Sequence, residues 1–226
     1  MPDTLNGDGQ HCTHQNGVHG EVFDSVDDAI TAFAAGEFVV VVDNEDRENE
    51  GDLVIAAEKC TTEKMAFLIR YSSGYICCPA TAQRLRDLEL PLMVANSTDK
   101  YKTAYAISCD YRFGTTTGIS AHDRALTCRK IADVTATKES FARPGHILPL
   151  ICVDGGVMNR TGHTEASVDL CKLAGMQPAA VIGELMLDDG RMMRRDDCRT
   201  FARQHGLLMI TIKDLVEYRR KHELCR

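Results

Sequence analysis

Short apolar runs alternate along the chain with segments of helical periodicity. The runs at residues 38–42 and 53–57 are continuous and rich in β-branched side chains, which is typical of strands buried on both faces. Further strands are predicted at residues 75–78, 103–110, 179–187, 191–195 and 207–212, and in the segment 143–153 after a Pro-Gly turn. Helices are predicted between them, at residues 25–36, 61–72, 81–88, 120–132, 160–175, 196–206 and 213–223. Ser25 with Asp28 and Ser120 with Asp123 form capping-box patterns at two of the helix starts.

Residues 1–20 are predicted to form a disordered N-terminal tail, because they are polar and contain only two aliphatic side chains. Residues 21–226 are long enough to form one domain with a full core. The formal charge of −7 and the scattered basic residues argue against a nucleic-acid or membrane-surface partner. Without a signal peptide or an apolar run of membrane length, we expect a cytoplasmic protein whose ten cysteines are mostly buried, reduced thiols.

A dense acidic segment joins the first two predicted strands. Five carboxylates surround one guanidinium there, at Glu45, Asp46, Arg47, Glu48, Glu50 and Asp52. Such a density of negative charge repels itself unless a cation neutralises it. A calcium loop of the EF-hand type is excluded, because strands flank the segment and Ala57 stands where a bidentate glutamate is needed. A solvated connection and a Mg²⁺ or Mn²⁺ site both remain open.

A second polar segment begins the helix predicted at residues 160–175. Its start contains Arg160, Gly162, His163 and Thr164. Free N–H groups, the positive end of the helix dipole, a hydroxyl and a guanidinium together suit a phosphate group. His163 can also bind a metal ion as a neutral imidazole. The alternative is an ordinary capped helix on the surface.

Two further residues are candidates for the same site. His146 follows the Pro-Gly turn at the entry to a strand, where a structural histidine is the plainer interpretation. Glu184 stands in the middle of the apolar run 179–187, and a buried carboxylate is costly unless it is paired, metal-bound or shares a proton. If Asp52, His146 and Glu184 move protons near a metal and a bound phosphate, the residues indicate metal-dependent chemistry on a small sugar phosphate.

Five segments together resemble the 3,4-dihydroxy-2-butanone 4-phosphate synthases. They occur in that family's order and are DNEDRENEGDL (43–53), SSGYICC (72–78), TTTGISAHDRA (115–125), RPGHILPL (143–150) and RTGHTEASVDLCKLAG (160–175), with Glu184 following at the expected distance. The resemblance covers residues 21–220. It implies an α+β fold in which a mixed, twisted β-sheet forms the middle of three α-β-α layers, in a single catalytic domain over residues 21–226.

The resemblance also implies an activity and a set of site residues. The family is a lyase of riboflavin biosynthesis that converts D-ribulose 5-phosphate into L-3,4-dihydroxy-2-butanone 4-phosphate and formate, by enediol formation, skeletal rearrangement and C–C cleavage. It implies a homodimer and Mg²⁺ or Mn²⁺ as cofactor, with two ions per active site when the substrate is bound. Glu48 and His163 match metal ligands, and His146, Glu184 and Asp52 match residues needed for turnover. The matched substrate-binding residues are Arg47, Glu48, Asp52, Arg160, Thr161, Gly162, His163, Thr164 and Glu184.

Two alternatives to this function stay open on the sequence alone. One is a different metal-dependent sugar-phosphate enzyme, such as an isomerase or epimerase, which would not release formate. The other is a catalytically silent nucleotide- or RNA-binding relative, against which the net acidity counts. Some relatives carry a GTP cyclohydrolase II domain after this one, and no such fused domain is expected in a sequence that ends at Arg226.

Overall fold

The computed structural model describes residues 23–223, so the predicted tail at residues 1–20 lies outside the described residues. The strands are β1 (Val39–Val42), β2 (Gly51–Ala56), β3 (Cys77–Thr81), β4 (Cys109–Tyr111), β5 (Phe141–Cys152), β6 (Ala180–Glu184) and β7 (Leu208–Thr211). The α-helices are α1 (Val26–Ala34), α2 (Thr62–Tyr71), α3 (Ala82–Asp87), α4 (Ala121–Ala132), α5 (His163–Leu173), α6 (Arg195–His205) and α7 (Ile212–Glu223). The division into a tail and one domain stays a prediction.

These strands form one mixed sheet in the order β4-β5-β3-β6-β2-β1-β7. β1 pairs with β2 in antiparallel and with β7 in parallel orientation, and β3 pairs with β5 in parallel orientation. The antiparallel pair of β2 and β6 aligns Asp52 with Glu184. Because of this register, the start of β2 and the end of β6 lie side by side at one end of the strands, next to the end of β1.

Helices cover both faces of the sheet, and each face has its own hydrophobic core. Val40 and Val42 of β1 pack on the face covered by α2, α3, α4 and α6. Val39 and Val41 pack on the opposite face, which is covered by α1, α5 and α7. Because alternate side chains of one strand enter two different cores, the strand has a continuous apolar sequence. The expected α+β fold with three layers is confirmed.

Helix starts follow local capping chemistry and match the sequence-based expectation closely. Ser25, Thr61 and Ser120 are the N-caps of α1, α2 and α4, and each side-chain oxygen accepts the N–H group three residues later. Thr81 caps α3 in the same way. Such a cap stabilises a helix by about 1 kcal/mol. These contacts lie within one turn of chain, so the sequence alone specifies them.

Strand limits differ more from the expectation. The segment 143–153 is not a turn followed by a strand, because β5 continues through a cis Arg143–Pro144 peptide bond. The strand expected at residues 103–110 is reduced to isolated bridges followed by the short β4. Residues 191–195 contribute a single bridge rather than an edge strand. Pairing partners, and not the local apolar run, set where these strands begin and end.

The eight cysteines among the described residues are all buried and free, as expected for reduced thiols. Burial raises the pKa of the Cys77 thiol, and the nearby carboxylates of Asp52 and Glu184 raise it further. Cys77 is therefore protonated near neutral pH and serves as part of a wall rather than as a nucleophile. Within residues 23–223, no helix has both the length and the apolar character needed to cross a membrane.

Candidate active site

A cavity opens at one end of the strands, where β1 ends, β2 begins and β6 ends. It is open to solvent, and most of the side chains that reach it are polar or charged. Seven of the predicted site residues line it, namely Arg47, Glu48, Asp52, Arg160, His163, Thr164 and Glu184. The rest of its wall consists of Tyr75, Cys77, Thr103, Tyr105, Leu150, Ile182 and Gly183. Two segments that are distant in sequence therefore meet in one place.

Asp43 organises the acidic loop, defined as residues 43–50. Its buried carboxylate accepts the backbone N–H groups of Glu48 and Glu50, both at 3.0 Å. It also accepts a hydrogen bond from the Arg47 guanidinium at 2.8 Å. These three donors satisfy the Asp43 carboxylate, and the two backbone hydrogen bonds turn the chain from β1 back into β2. The loop backbone thereby presents Glu48 to the cavity.

A second contact fixes the same loop from outside. The exposed Arg194, immediately before α6, donates to the carbonyl oxygens of Glu48 and Asn49 at 2.7 and 2.8 Å. Asn49 has a φ of 55°, a left-handed conformation that asparagine adopts more readily than most residues. The backbone beside Glu48 is therefore held on two sides, by Asp43 and by Arg194.

His163 lies at the start of α5 and is buried against the end of β1. Its Nε2 atom lies 3.1 Å from the carbonyl oxygen of Val41, which can only accept, so Nε2 carries a hydrogen. Its Nδ1 atom faces Glu48 Oε2 at 3.5 Å and Asp52 Oδ1 at 3.9 Å. A backbone carbonyl thus orients the ring and turns Nδ1 towards the carboxylates, as in histidines that bind metal ions.

The charges around His163 shift three pKa values. Burial of the ring opposes protonation, but the carboxylates of Asp52 and Glu48 outweigh burial and raise the pKa of His163 to about 9. Burial raises the pKa of Asp52 to about 6, against the opposing positive charge of His163. Burial also acts on Glu48, but His163 and Arg47 outweigh it and lower the pKa of Glu48. Glu48 is therefore ionised near neutral pH, whereas Asp52 takes up a proton readily.

Glu184 is the last residue of β6 and lies at the rim of the cavity, so the expectation that it stands within a buried strand was wrong. Much of its side chain is exposed. The part that lines the cavity is desolvated, and this burial, with the charges of Asp52 and Glu48, raises the pKa of Glu184. Asp52 and Glu184 are thus adjacent carboxyl groups, each with a pKa above its ordinary value.

At the other end of the cavity, a buried carboxylate fixes Arg160. Its Nη1 atom pairs with Glu165 Oε2 at 2.5 Å. Its Nη2 atom donates to the Tyr101 carbonyl oxygen at 3.1 Å and to the Thr103 hydroxyl at 3.2 Å. A Cβ atom at Gly162 would lie 2.3 Å from Nη1, so the absence of a side chain there makes room for the guanidinium. Arg160 is therefore held in one orientation by contacts within the protein.

The start of α5 adds to the positive potential at this end. Gly162 is the N-cap of α5 and supplies no side-chain hydrogen bond to the helix start. Thr164, in the first turn, is buried and lines the cavity. A helix start without a side-chain cap, next to a guanidinium and a hydroxyl, has the properties of a phosphate site.

The opposite end has the donors of a divalent metal site. Ligand atoms of Asp43, Glu48 and His163 all lie within 4.8 Å of one another. Three donors already engage Asp43, and the Arg47 guanidinium engages Glu48. Metal binding by Glu48 and His163, which the family resemblance implies, stays a prediction. The buried Asp52 Oδ1 atom has no hydrogen-bond partner among the described residues, and a cation beside it would compensate for that. A carboxylate and an imidazole together fit Mg²⁺ or Mn²⁺.

Three of the predicted site residues do not line this cavity. Gly162 lies beside the Arg160 guanidinium and acts by leaving space for it. Thr161 is exposed and faces a neighbouring depression that Asn44 and Lys213 also line. The third residue is His146.

His146 lies on β5, outside the cavity wall, and Asp110 orients it. Asp110 accepts the His146 backbone N–H at 2.8 Å and lies 2.6 Å from its Nδ1 atom. Gly118 packs so closely that a Cβ atom there would lie 2.0 Å from the Asp110 carboxylate. His146, Leu148 and Leu150 alternate along one face of β5, and Leu150 lines the cavity, which places His146 about 13 Å further along the strand. Within one copy of the chain, His146 is therefore separate from the metal end.

Sequence analysis missed three residues that hold the predicted site residues in place. Asp43 had a signal, since it is the polar residue at which a buried strand stops. Glu165 also had one, as the acidic residue in the first turn of α5. Tyr101 had none, because the segment after Pro91 lacks a clear periodicity.

Known proteins share this fold and most of this sequence. Residues 27–218 match the family model described as 3,4-dihydroxy-2-butanone 4-phosphate synthase. The 3,4-dihydroxy-2-butanone 4-phosphate synthase of Candida albicans is 57% identical over 198 residues, which cover 87% of this chain and 97% of that protein. The chain also matches the riboflavin biosynthesis protein RibBA of Nocardia farcinica, with 54% identity over 203 residues, or 89% of this chain, but spans only 49% of that protein.

A solved structure has the same architecture. It is a 3,4-dihydroxy-2-butanone 4-phosphate synthase in complex with two magnesium ions, and it matches with a TM-score of 0.85 and 51% sequence identity. The match covers 89% of this chain and 99% of that one. Family model, sequence identity and structure agree over nearly the whole length of the two synthases. The chain therefore belongs to the 3,4-dihydroxy-2-butanone 4-phosphate synthase family.

Proposed function

We propose that this lyase of riboflavin biosynthesis converts D-ribulose 5-phosphate into L-3,4-dihydroxy-2-butanone 4-phosphate and formate. The observation that carries the proposal is a single cavity whose wall combines two unlike groups of side chains. Glu48, Asp52, His163 and Glu184 supply carboxylates and an imidazole, and Arg160 supplies a guanidinium. A sugar phosphate has the matching polarity, with an anion at one end and hydroxyl and carbonyl oxygens along the rest.

Arg160 and the start of α5 would bind the phosphate group of the substrate. The guanidinium is already oriented by Glu165, so little side-chain entropy is lost when the anion binds. Thr164 offers a hydroxyl in the same turn. Arg47, at the edge of the acidic loop, would contact the sugar hydroxyl groups. Contacts of Thr161 with the substrate stay a prediction, since its side chain faces a different depression.

Glu48 and His163 would hold Mg²⁺ or Mn²⁺, with two ions per active site when the substrate is bound. The support is the donor set itself, together with the two magnesium ions in the structure of the relative. A bound divalent cation supplies positive charge next to the substrate oxygens that become anionic during the reaction. Asp43 positions the backbone of Glu48, and the Arg47 guanidinium balances the charge of its carboxylate.

Asp52 and Glu184 would transfer the protons. Enediol formation requires a base to remove a proton from the carbon next to the carbonyl group, and later steps return protons to carbon and oxygen. A raised pKa suits both tasks, because the carboxyl group then takes up a proton more readily and can act first as a base and afterwards as an acid. The atoms of the substrate equal those of the two products together, so the reaction requires no oxidant and no organic cofactor.

We further propose a homodimer in which His146 of a second copy completes the cavity. Three observations support this. His146 is exposed, it is held in one orientation by Asp110, and it does not line the cavity of its own chain. A residue needed for turnover must reach the substrate, and a symmetric dimer would bring one such histidine to each of two open cavities.

Formate release from D-ribulose 5-phosphate tests the proposed function. The protein is assayed with Mg²⁺, after treatment with a chelator, and after Mg²⁺ is restored. Formate that appears only with the metal supports the synthase. Metal-dependent formation of an isomer or epimer without formate would instead support the other sugar-phosphate enzyme. Substrate binding without any product would indicate a silent binding protein.

A further inference from the structure

We infer that Tyr101 is a positioning residue that ties the two ends of the cavity together. It lies in the bridging segment, defined as residues 97–103, between α3 and β4. The side chain of Tyr101 contacts Arg47 at the metal end, and its backbone contacts Arg160 at the phosphate end. The inference rests on the proposed function only for the ligands that the two ends bind, whereas the contacts are independent of it.

The side chain of Tyr101 holds the acidic loop. Its hydroxyl donates to the carbonyl oxygen of Arg47 at 2.7 Å. The Arg47 guanidinium lies 5.0 Å from the centre of the tyrosine ring, within the range of a cation–π contact. Asp43 holds the same guanidinium from the other side. One tyrosine thus fixes both the backbone and the side chain of the residue before Glu48.

The backbone of Tyr101 holds Arg160. Its carbonyl oxygen accepts a hydrogen bond from Arg160 Nη2, and the Thr103 hydroxyl accepts from the same nitrogen. Glu165 engages the other terminal nitrogen, so the guanidinium is held on two sides. The contacts with Tyr101 and Thr103 belong to the bridging segment, so that side of the Arg160 guanidinium moves with the segment. A displacement of Tyr101 would therefore move cationic groups at both ends of the cavity.

The bridging segment itself is stiff. A single carboxylate oxygen of Asp99 accepts the backbone N–H groups of Tyr101 at 3.0 Å and Thr103 at 2.9 Å. Lys102, between them, has a φ of 56°, which non-glycine residues rarely adopt and which persists only where surrounding contacts impose it. Asp99 imposes this turn, and the turn aims the Tyr101 carbonyl at Arg160.

These contacts have a consequence for ligand binding. Tyr101 joins Asp43 and Arg194 in holding the acidic loop. These contacts set the separation between Glu48 and Arg160. A cavity whose polar groups have a set separation binds most tightly those ligands whose phosphate and hydroxyl groups match it. Tyr101 therefore acts on the affinity for the metal ion and for phosphate without contacting the reacting atoms.

Hydrogen exchange of the acidic loop in the metal-free protein tests the first contact. In Tyr101→Phe the ring remains beside Arg47, but the hydrogen bond to the Arg47 carbonyl oxygen is lost, together with the exposed one that the hydroxyl accepts from Lys100. We expect the loop amides to exchange about fivefold faster and Mg²⁺ to bind more weakly by a similar factor, as for the loss of one hydrogen bond. Tyr218→Phe is the matched control, because it removes a hydroxyl that bonds to Asp27 outside the cavity.

The affinity for inorganic phosphate tests the second contact. Asp99→Ala removes the acceptor that shapes the bridging segment, and we expect phosphate to bind about tenfold more weakly. Asp99→Asn keeps an acceptor oxygen and should restore most of the affinity. Tyr101→Phe should leave the phosphate affinity unchanged, because Arg160 bonds to the backbone carbonyl. A purely structural role would lower the Tm of these variants without separating Mg²⁺ binding from phosphate binding.

Two outcomes would overturn the inference. Wild-type loop exchange and wild-type Mg²⁺ affinity in Tyr101→Phe would show that the hydroxyl positions nothing. Equal losses in Tyr101→Phe and Tyr218→Phe would show a general loss of stability. None of these readouts uses turnover, so an absence of formate release would contradict the proposed function and leave the inference about Tyr101 standing.

Discussion

Asp52 and Glu184 are direct register partners across the antiparallel strands β2 and β6. Such partners have Cβ atoms about 4.5–5.5 Å apart, and both of these side chains line the cavity. Burial raises the pKa of each carboxyl group, and the negative charge of Asp52 raises that of Glu184 further. The pair therefore resists double ionisation.

Replacing Glu184 by glutamine tests this pair. The variant keeps the shape of the side chain but cannot exchange a proton, so kcat for formate release should fall about 100-fold or more. Mg²⁺ and D-ribulose 5-phosphate should still bind, as measured by calorimetry. Glu89→Gln is the control, because Glu89 pairs with Lys138 on the surface and should leave kcat unchanged. Full turnover in Glu184→Gln would remove that residue from the proton transfers.

The stability of the metal-free protein should depend on His163 between pH 6.5 and 9. The folded-state pKa of about 9 lies above the ordinary value of 6.5, so the folded protein binds this proton more tightly than the unfolded chain. The stabilisation is complete below pH 6.5 and is lost as the pH rises through 9, by about 3 kcal/mol. Asp52 has a pKa of about 6 and titrates below this window.

Urea unfolding in a chelating buffer at several pH values measures this dependence. His163→Asn should flatten the profile between pH 6.5 and 9, whereas the exposed His122→Asn should not change it. Mg²⁺ binding should release a proton, because a metal ion needs the unprotonated nitrogen of the ring. An unchanged profile in His163→Asn would mean that other groups govern the titration.

Gly162→Ala should displace the Arg160 guanidinium. The new Cβ atom would lie 2.3 Å from Arg160 Nη1, so the guanidinium must leave its place beside Glu165. We expect the KM for D-ribulose 5-phosphate to rise about tenfold, the order of magnitude for one weakened charge-assisted hydrogen bond, with a smaller change in kcat. Gly190→Ala is the control, because its Cβ meets nothing within 4 Å and only the positive φ is strained. Equal effects of the two substitutions on KM would contradict a role in orienting Arg160.

Mixing two inactive variants tests whether His146 acts in the cavity of a second copy. His146→Ala and Glu184→Gln should each be nearly inactive as pure proteins. After unfolding and refolding together in equal amounts, about half of the dimers should be mixed, and one of the two sites of each mixed dimer carries neither substitution. The mixture should therefore regain about a quarter of the wild-type activity. Activity that stays at the level of the pure variants would mean that each chain supplies both residues to its own cavity.

The helices could be predicted from the sequence almost to the residue, because their start signals are local. Ser120 and Asp123 lie within one turn, and their hydrogen bond needs nothing from the rest of the chain. Strand limits could not be predicted as well. Glu184 ends β6 because its pairing partner is Asp52, at the beginning of β2, and no local pattern contains that information.

The residues of the candidate site also fall into two classes, those that the local sequence identifies and those that it does not. The cavity-lining residues Glu48, Arg160 and His163 lie in polar segments at the ends of predicted elements, where the sequence can identify them. The residues that orient them are distant in sequence or lie in segments without a pattern. Tyr101 meets Arg47 and Arg160 only through tertiary structure. Pre-orientation of a site is therefore the part that a sequence reveals least.

The pairing of β1 with β7 has a consequence for the newly made chain. Val39 lies opposite Leu208, so the first strand in the sequence pairs with the last one. During synthesis β1, a strand of four valines, emerges long before that partner exists. Pairings between distant residues form slowly, and an unpaired apolar strand can associate with other chains in the meantime. The yield of active enzyme in a cell should therefore depend on how well that nascent strand is shielded until the C-terminal part of the chain has been translated.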